Sequence, residues 1–183
     1  MGTIRIKYQG KGFWIPPSFI EVLSDYICQT FETIGVDTFS QNLQNIYRSC
    51  DANRLGESFD MVNILLDAYV TSTSDKTALI DVLSQTKSLI LSIGTELSIE
   101  LLSEFESRKS IDEYKSSWAF PIKTSSLAAT IDIIIQMLNG TWESDSYDVY
   151  YAGFPNIACD RRKARRRGSG YWPDSGESLA GYY

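Results

Sequence analysis

The stretch SFIEVLSDYICQTFETI, residues 18–34, decides the fold class of this chain. Its apolar residues recur at intervals of three and four positions, which is the pattern of a helix that buries one stripe of side chains. Pro16 and Pro17 precede the stretch, and proline is tolerated in the first turn of a helix but not in its interior. Gly35 follows at the position where helices commonly end. The pattern therefore predicts a helix that covers these residues.

The same spacing recurs along the chain and predicts five further helices. They are expected from a Thr38 cap to about Cys50, from Phe59 to Tyr69, from a Ser74 cap to Gly94, from Thr95 or Ser98 to the charged run 106–109, and from Ser125 or Ser126 to Asn139. Residues 114–121 show neither the helical nor the strand period. We expect them to form an irregular segment that its aromatic side chains keep docked on the domain.

Alternating apolar and charged residues at two places predict short strands. The first covers residues 4–8 and the second covers residues 147–151, beyond the last helix. We expect these two strands to pair as a small ribbon. The predicted architecture is mainly α, a bundle of about six helices with a two-stranded β ribbon formed by the N-terminal and C-terminal strands.

Charge divides the chain into two parts. Residues 1–158 contain 11 basic and 20 acidic side chains, a net charge of −9, whereas residues 159–183 contain six basic and three acidic side chains, a net charge of +3. We interpret 1–158 as an acidic helical globular domain and 159–183 as a basic tail that is expected to be disordered. A body this acidic repels nucleic acid and favours basic protein partners.

Several chemistries are disfavoured by the residue types present. The chain contains no histidine, the commonest general base and zinc ligand, and its three cysteines are too far apart in sequence for a paired thiolate site. The glycines form neither a dinucleotide fingerprint nor a phosphate-binding loop. We therefore predict no cofactor, no metal and no enzymatic activity.

The sequence also favours a cytoplasmic location. The N-terminus lacks the apolar core of a secretory signal, and no apolar run approaches the roughly 20 residues of a membrane span. An odd number of cysteines argues against a disulfide scaffold, so a reducing compartment is expected. Cys28, in an apolar helical context, is interpreted as a small buried thiol.

Carboxylates are the remaining catalytic candidates. Glu100 and Glu104 lie one helical turn apart, and Asp132 lies between Ile131 and Ile133. Paired carboxylates can share acid and base roles or hold Mg²⁺. The favoured interpretation is that the two glutamates line the solvated side of a helix and that Asp132 points outward.

The functional hypothesis is a non-enzymatic protein-binding protein, of the bacterial immunity type, that neutralises a basic partner such as a toxin. The expected contact residues are Asp51, Glu57, Asp60, Asp67, Trp142, Glu143 and Asp145. One alternative is a carboxylate- and Mg²⁺-dependent enzyme. Another is a nucleic-acid binder that acts through the tail run Arg161–Arg167, which could equally be a solvated tail, fold back on the acidic body, or be foreign to the native gene product.

Overall fold

Six α-helices and two small antiparallel ribbons make up the part of the chain that the computed structural model describes, residues 3–58 and 62–142. The helices are α1 (Pro17–Ile34), α2 (Gln41–Arg54), α3 (Leu66–Tyr69), α4 (Thr73–Ile93), α5 (Ile99–Ser107) and α6 (Thr124–Asn139). The strands are β1 (Ile4–Tyr8), β2 (Lys11–Ile15), β3 (Glu96–Leu97) and β4 (Ile122–Lys123). The predicted mainly α fold with a small ribbon is confirmed.

The helices pack side by side in the order α2, α1, α4, α6. Because α1 has a neighbour on each side, it is buried almost continuously from Ile20 to Phe31. Phe31 is fully buried, and its ring lies edge-on to those of Phe39 and Tyr47, with centroid distances of 4.8 and 5.9 Å. None of the helices within the described ranges has the length and apolar composition needed to cross a bilayer.

The N-terminal ribbon is a hairpin of β1 and β2, in which Ile6 lies opposite Phe13. The turn between the strands places Gln9 and Gly10 at φ +50° and +83°, the left-handed conformations that tight hairpin turns use. β1 thus pairs with the segment that directly follows it, for which no strand was predicted. Its expected partner, residues 147–151, lies outside the described residues.

Gly12 in β2 is required by the close approach of the two strands. A Cβ atom added at this position would overlap the backbone carbonyl oxygen of Ile6. We expect Gly12→Ala to lower the free energy of unfolding by about 1–3 kcal/mol, the usual cost of overpacking. Denaturant unfolding checks this, with Lys7→Ala on the opposite, exposed position as the control. Equal unfolding midpoints for Gly12→Ala and the wild type would contradict the close approach.

Serine side chains cap three of the helices. The hydroxyl oxygens of Ser40, Ser72 and Ser98 accept the backbone N–H groups of Leu43, Asp75 and Leu101, at the starts of α2, α4 and α5. The predicted caps Thr38 and Ser74 are therefore wrong by two residues each. Of the two alternatives predicted for the start of α5, Thr95 and Ser98, the second is confirmed. The last helix begins at Thr124, one residue before the predicted start.

Asp75 joins the beginnings of α2 and α4. Its carboxylate accepts hydrogen bonds from the Ser40 hydroxyl at 2.6 Å and from the Asn42 side-chain amide at 3.0 Å. The hydrogen bonds from Ser40 and Asn42 hold the pKa of Asp75 below its ordinary value. Since a buried carboxylate is costly unless it is hydrogen-bonded, this contact fixes how the two helices start relative to each other.

The helix predicted over residues 59–69 is much shorter in the structure. Only α3 is helical, and residues 62–65 are not, with Leu65 in the left-handed region at φ +53°. Residues 59–61 lie outside the described residues. The prediction was therefore wrong for at least the four residues before α3.

Asn63 explains this difference. Its carbonyl oxygen accepts hydrogen bonds from the side chains of Ser49 and Asn53, both at 2.8 Å, and its own side chain accepts from the backbone N–H groups of Ile64 and Leu65. Asparagine side chains compete in this way with the hydrogen bonds of a helix. Apolar spacing alone does not reveal that competition.

Candidate functional site

Asp51, the first of the predicted partner contacts, lies near the end of α2 and is already engaged within the fold. Its Oδ1 accepts a hydrogen bond from Arg54 Nε at 2.8 Å. Arg54 also donates to Glu32 at 2.7 Å. Part of the negative charge of Asp51 is therefore neutralised before any partner arrives.

Asp67 connects α3 to the hairpin. Its Oδ1 accepts the backbone N–H of Gln9 at 2.6 Å, and its other oxygen lies 3.9 Å from Lys7 Nζ. Gln9 is one of the two turn residues with a positive φ. Asp67 thus holds the hairpin turn in place, in addition to any contact with a partner.

Glu57 and Trp142 differ in how exposed their side chains are to solvent. Glu57 follows α2, is exposed, and has no ion pair among the described side chains. Trp142 lies just beyond α6, is half-buried, and packs against the hydrophobic core. Glu57 is consequently the described carboxylate of the predicted set that is best placed to meet a partner.

The remaining predicted contacts are Asp60, Glu143 and Asp145. They lie outside the described residues, as does the basic run Arg161–Arg167. Their involvement stays a prediction.

The carboxylates considered for catalysis lie on the helix exteriors. Glu100 and Glu104 are both exposed on α5, which confirms the solvated interpretation. Asp132 on α6 is half-exposed as predicted, but both of its oxygens lie 2.7 Å from Lys87 Nζ on α4. Asp132 therefore forms an ion pair between two neighbouring helices.

A group of charged side chains between α1, α2 and the end of α5 was not predicted. We call it the ionic cluster. It consists of Glu21, Asp25, Arg54, Glu106, Arg108 and Lys109. Three carboxylates are thus matched by three cations, and this balance makes their burial tolerable.

Lys109 is the most buried member of the ionic cluster, with a side chain only 2% exposed. Its Nζ donates to Glu21 at 2.8 Å and to the carbonyl oxygen of Tyr114 at 3.0 Å, and lies 2.7 Å from Glu106. The ammonium therefore has three oxygen neighbours, of which those of Glu21 and Tyr114 accept its hydrogen bonds. Gly56 packs against the aliphatic stem of the same side chain.

Glu106 connects α5 to the segment that follows it. One carboxylate oxygen accepts the backbone N–H of Ser116 at 2.8 Å, and the other accepts the indole N–H of Trp118 at 3.0 Å. The Lys109 ammonium lies 2.7 Å from the same carboxylate, so two hydrogen bonds and an ion pair converge on Glu106. The irregular segment is thereby held on the helices by buried charge as well as by aromatic packing.

Asp25 forms the other half of the ionic cluster. It accepts hydrogen bonds from Arg108 at 3.0 Å and from Gln29 at 2.6 Å, and it lies 3.9 Å from Arg54. The guanidinium of Arg108 also lies 4.7 Å above the ring centre of Phe105. Aromatic and carboxylate contacts therefore both fix the position of this arginine.

The cavity in the ionic cluster is too small for a substrate. Its volume is about 10 Å³, and it is lined by Glu21, Val22, Asp25, Arg54, Phe105 and Lys109. A site needs roughly 10–15 Å³ to hold one water molecule. The carboxylates at this place are therefore available to one water at most.

Burial changes the protonation of Glu21. Loss of solvation raises its pKa and the nearby charge of Glu106 adds to the rise, while Lys109 acts in the opposite direction. Glu21 therefore takes up a proton at a higher pH than an ordinary glutamate.

Cys28 and Cys50 are fully buried where α1 packs against α2. Burial raises the pKa of both thiols, and that of Cys50 reaches about 12. A thiol that stays protonated is a poor nucleophile and a poor metal ligand. The interpretation of Cys28 as a buried structural thiol is thus confirmed.

The part of the chain that the structure describes contains no preformed metal site. No group of three or more cysteine or carboxylate side chains there could hold an ion.

In comparisons with known proteins, no protein-family model, curated protein or solved structure matches this chain.

Proposed function

We propose that this chain is a non-enzymatic binding protein of the bacterial immunity type, whose acidic surface neutralises a basic protein such as a toxin. The charge imbalance among exposed side chains carries the proposal. Among the side chains that the structure describes, six exposed carboxylates form no ion pair, whereas the cations without an ion pair are two exposed ones, Arg48 and Lys123, and three half-exposed ones, Arg5, Lys11 and Lys76. The six are Asp37, Glu57, Asp81, Glu96, Glu100 and Glu104.

The ionic cluster leaves this imbalance unchanged, because its carboxylates and cations are equal in number. Arg54, Arg108 and Lys109 are engaged by carboxylates there and do not offset the exposed acids. Toxins that attack nucleic acid tend to be basic, and opposite charge accelerates the encounter of two proteins. We infer that the encounter takes place in a reducing compartment such as the cytoplasm, which the free thiols of Cys28 and Cys50 support.

Affinity capture at low and at physiological salt, followed by binding kinetics with the recovered protein, tests this function. We expect a basic partner whose toxicity to cells is relieved when both proteins are produced together. Recovery of no partner at either salt concentration would argue strongly against the proposal. Mg²⁺-dependent catalytic turnover would instead favour the hypothesis of an enzyme. Nucleic-acid binding that is lost when residues 159–183 are removed would favour the hypothesis that the tail binds nucleic acid.

Neutralising two of the exposed acids provides a sharper measurement. The double variant Glu100→Gln and Glu104→Gln is expected to slow association about three- to ten-fold at low salt, with little change in dissociation. The difference should shrink as salt is raised, because screening acts on exposed charges. Ser103→Ala, on the same exposed stretch of α5, is the matched control and should associate at the wild-type rate. Association that responds neither to salt nor to these charges would contradict an electrostatic interface.

A further inference from the structure

The segment Ser110–Trp118, which we call the docked segment, is attached to the helices by buried charge. Glu106 accepts the backbone N–H of Ser116 and the indole N–H of Trp118, and Lys109 donates to the carbonyl oxygen of Tyr114. Ser110 adds bonds from its backbone and hydroxyl groups to the carbonyl oxygen of Leu55. Three of these attachments therefore depend on one ion pair.

The ionised form of Glu106 is the form that suits these contacts. A carboxylate is an acceptor at both oxygens, and here Ser116 and Trp118 donate hydrogen bonds to it while Lys109, a third N–H group, forms an ion pair with it. In a protonated carboxyl group, one of these oxygens carries an O–H and becomes a donor that faces an N–H donor. At least one of the three donors then loses its partner in a buried place, which is costly.

Glu21 faces the same ammonium but has a different role. It contacts Lys109 at 2.8 Å and has no described contact with the docked segment. Protonation of Glu21 leaves Lys109 paired with Glu106, and the attachments of Ser116 and Trp118 are kept. The two glutamates therefore form a matched pair in one environment, and only one of them holds the segment.

We propose that Glu106, supported by Lys109, is a latch whose negative charge holds the docked segment on the helices, so that loss of this charge releases the segment. The release changes which surface of this region is presented to a partner. The proposal does not depend on the function proposed above.

The charged groups around the latch come from each element that packs against it. α1 contributes Glu21 and Asp25, α2 contributes Arg54, and the end of α5 contributes Arg108. Within the docked segment, Asp112 and Lys115 pair with each other at 2.6 Å and are the more exposed groups.

Isosteric neutralisation separates the two glutamates experimentally. In the full chain, Glu106→Gln is expected to speed hydrogen exchange at the Ser116 amide at least about ten-fold at neutral pH and to shift the Trp118 indole N–H resonance. Glu21→Gln is expected to leave both signals close to those of the wild type at neutral pH. The far-ultraviolet circular dichroism of both variants should stay helical, which separates release of the segment from unfolding of the helices.

Three results would overturn the latch. They are wild-type exchange at Ser116 in Glu106→Gln, equal exchange in the two variants, or signals that change only when the helices unfold. If Glu106→Gln does not fold, Trp118→Phe replaces it, since it keeps an aromatic ring and removes only the indole donor. The latch predicts several-fold faster exchange at Ser116 in Trp118→Phe, and unchanged exchange would refute it.

Discussion

Lys109→Met should lower the free energy of unfolding by about 3–5 kcal/mol, the cost of removing one partner from a buried ion pair. The methionine fills a similar volume, but it leaves Glu21 and Glu106 without their shared ammonium and removes the hydrogen bond from Lys109 to the carbonyl oxygen of Tyr114. The expected loss is a large part of the 5–15 kcal/mol that stabilises a typical domain. Denaturant unfolding of the full chain measures it.

The matched control for this variant is Lys123→Met. Lys123 lies exposed on β4, and surface substitutions usually change stability by no more than about 0.5 kcal/mol. Adding Glu106→Gln to Lys109→Met removes one of the stranded charges and should recover part of the loss. Equal stability of Lys109→Met and Lys123→Met would show that the ionic cluster contributes little.

Phe31→Ala should also cost about 3–5 kcal/mol, for a different reason. Phe31 is fully buried on α1, and its ring contacts those of Phe39 and Tyr47 edge-on. Truncation removes apolar area and leaves a cavity that the surrounding helices can only partly close. Thermal or denaturant unfolding measures the loss.

Phe120→Ala makes the same chemical change at a side chain that is 47% exposed. We expect it to cost less than about 1 kcal/mol, since less apolar surface is lost there. Phe31→Leu, which keeps most of the volume, should fall between the two alanine variants. If Phe120→Ala destabilised the protein as much as Phe31→Ala, the assignment of Phe31 to the core and of Phe120 to the surface would be contradicted.

The helices could be predicted because their signal is local. Apolar spacing, Pro17 and Gly35 define α1, and the same spacing identifies α2, α4, α5 and α6. The exact starts were less certain, because neighbouring serines and threonines compete for each cap. Ser40 was not chosen, although it is the residue whose hydroxyl also reaches Asp75.

The hairpin and α3 show two limits of sequence patterns. A turn at Gln9 and Gly10 joins β1 to β2, the segment that follows it. The alternation of apolar and polar residues does not reveal β2, because Gly12 interrupts it. Residues 62–65 fail to become helical because Asn63 bonds to side chains of α2. That competition involves residues 10 and 14 positions away, beyond the reach of a local period.

The ionic cluster could not be recognised from spacing, since its members come from three separate parts of the chain and residues 106–109 were interpreted only as the charged end of a helix. Glu106 and Lys109 belong to a run that marks the end of α5, yet both are buried. One signal was present in the sequence. Asp25 lies within the apolar stripe of α1, next to Tyr26, and a carboxylate in such a place requires a cation from elsewhere in the fold.

The pairing between α1 and the end of α5 has a consequence for synthesis of the chain. Asp25 and Glu21 meet Arg108 and Lys109 across separations of 83 and 88 residues. As the ribosome delivers the chain, α1 emerges long before these cations exist, and of the two carboxylates only Asp25 has an earlier cation, Arg54, near it. In a nascent chain that stops before residue 109, Glu21 lacks the cation that pairs with it, so we expect α1 to reach its final burial only after α5 has left the exit tunnel.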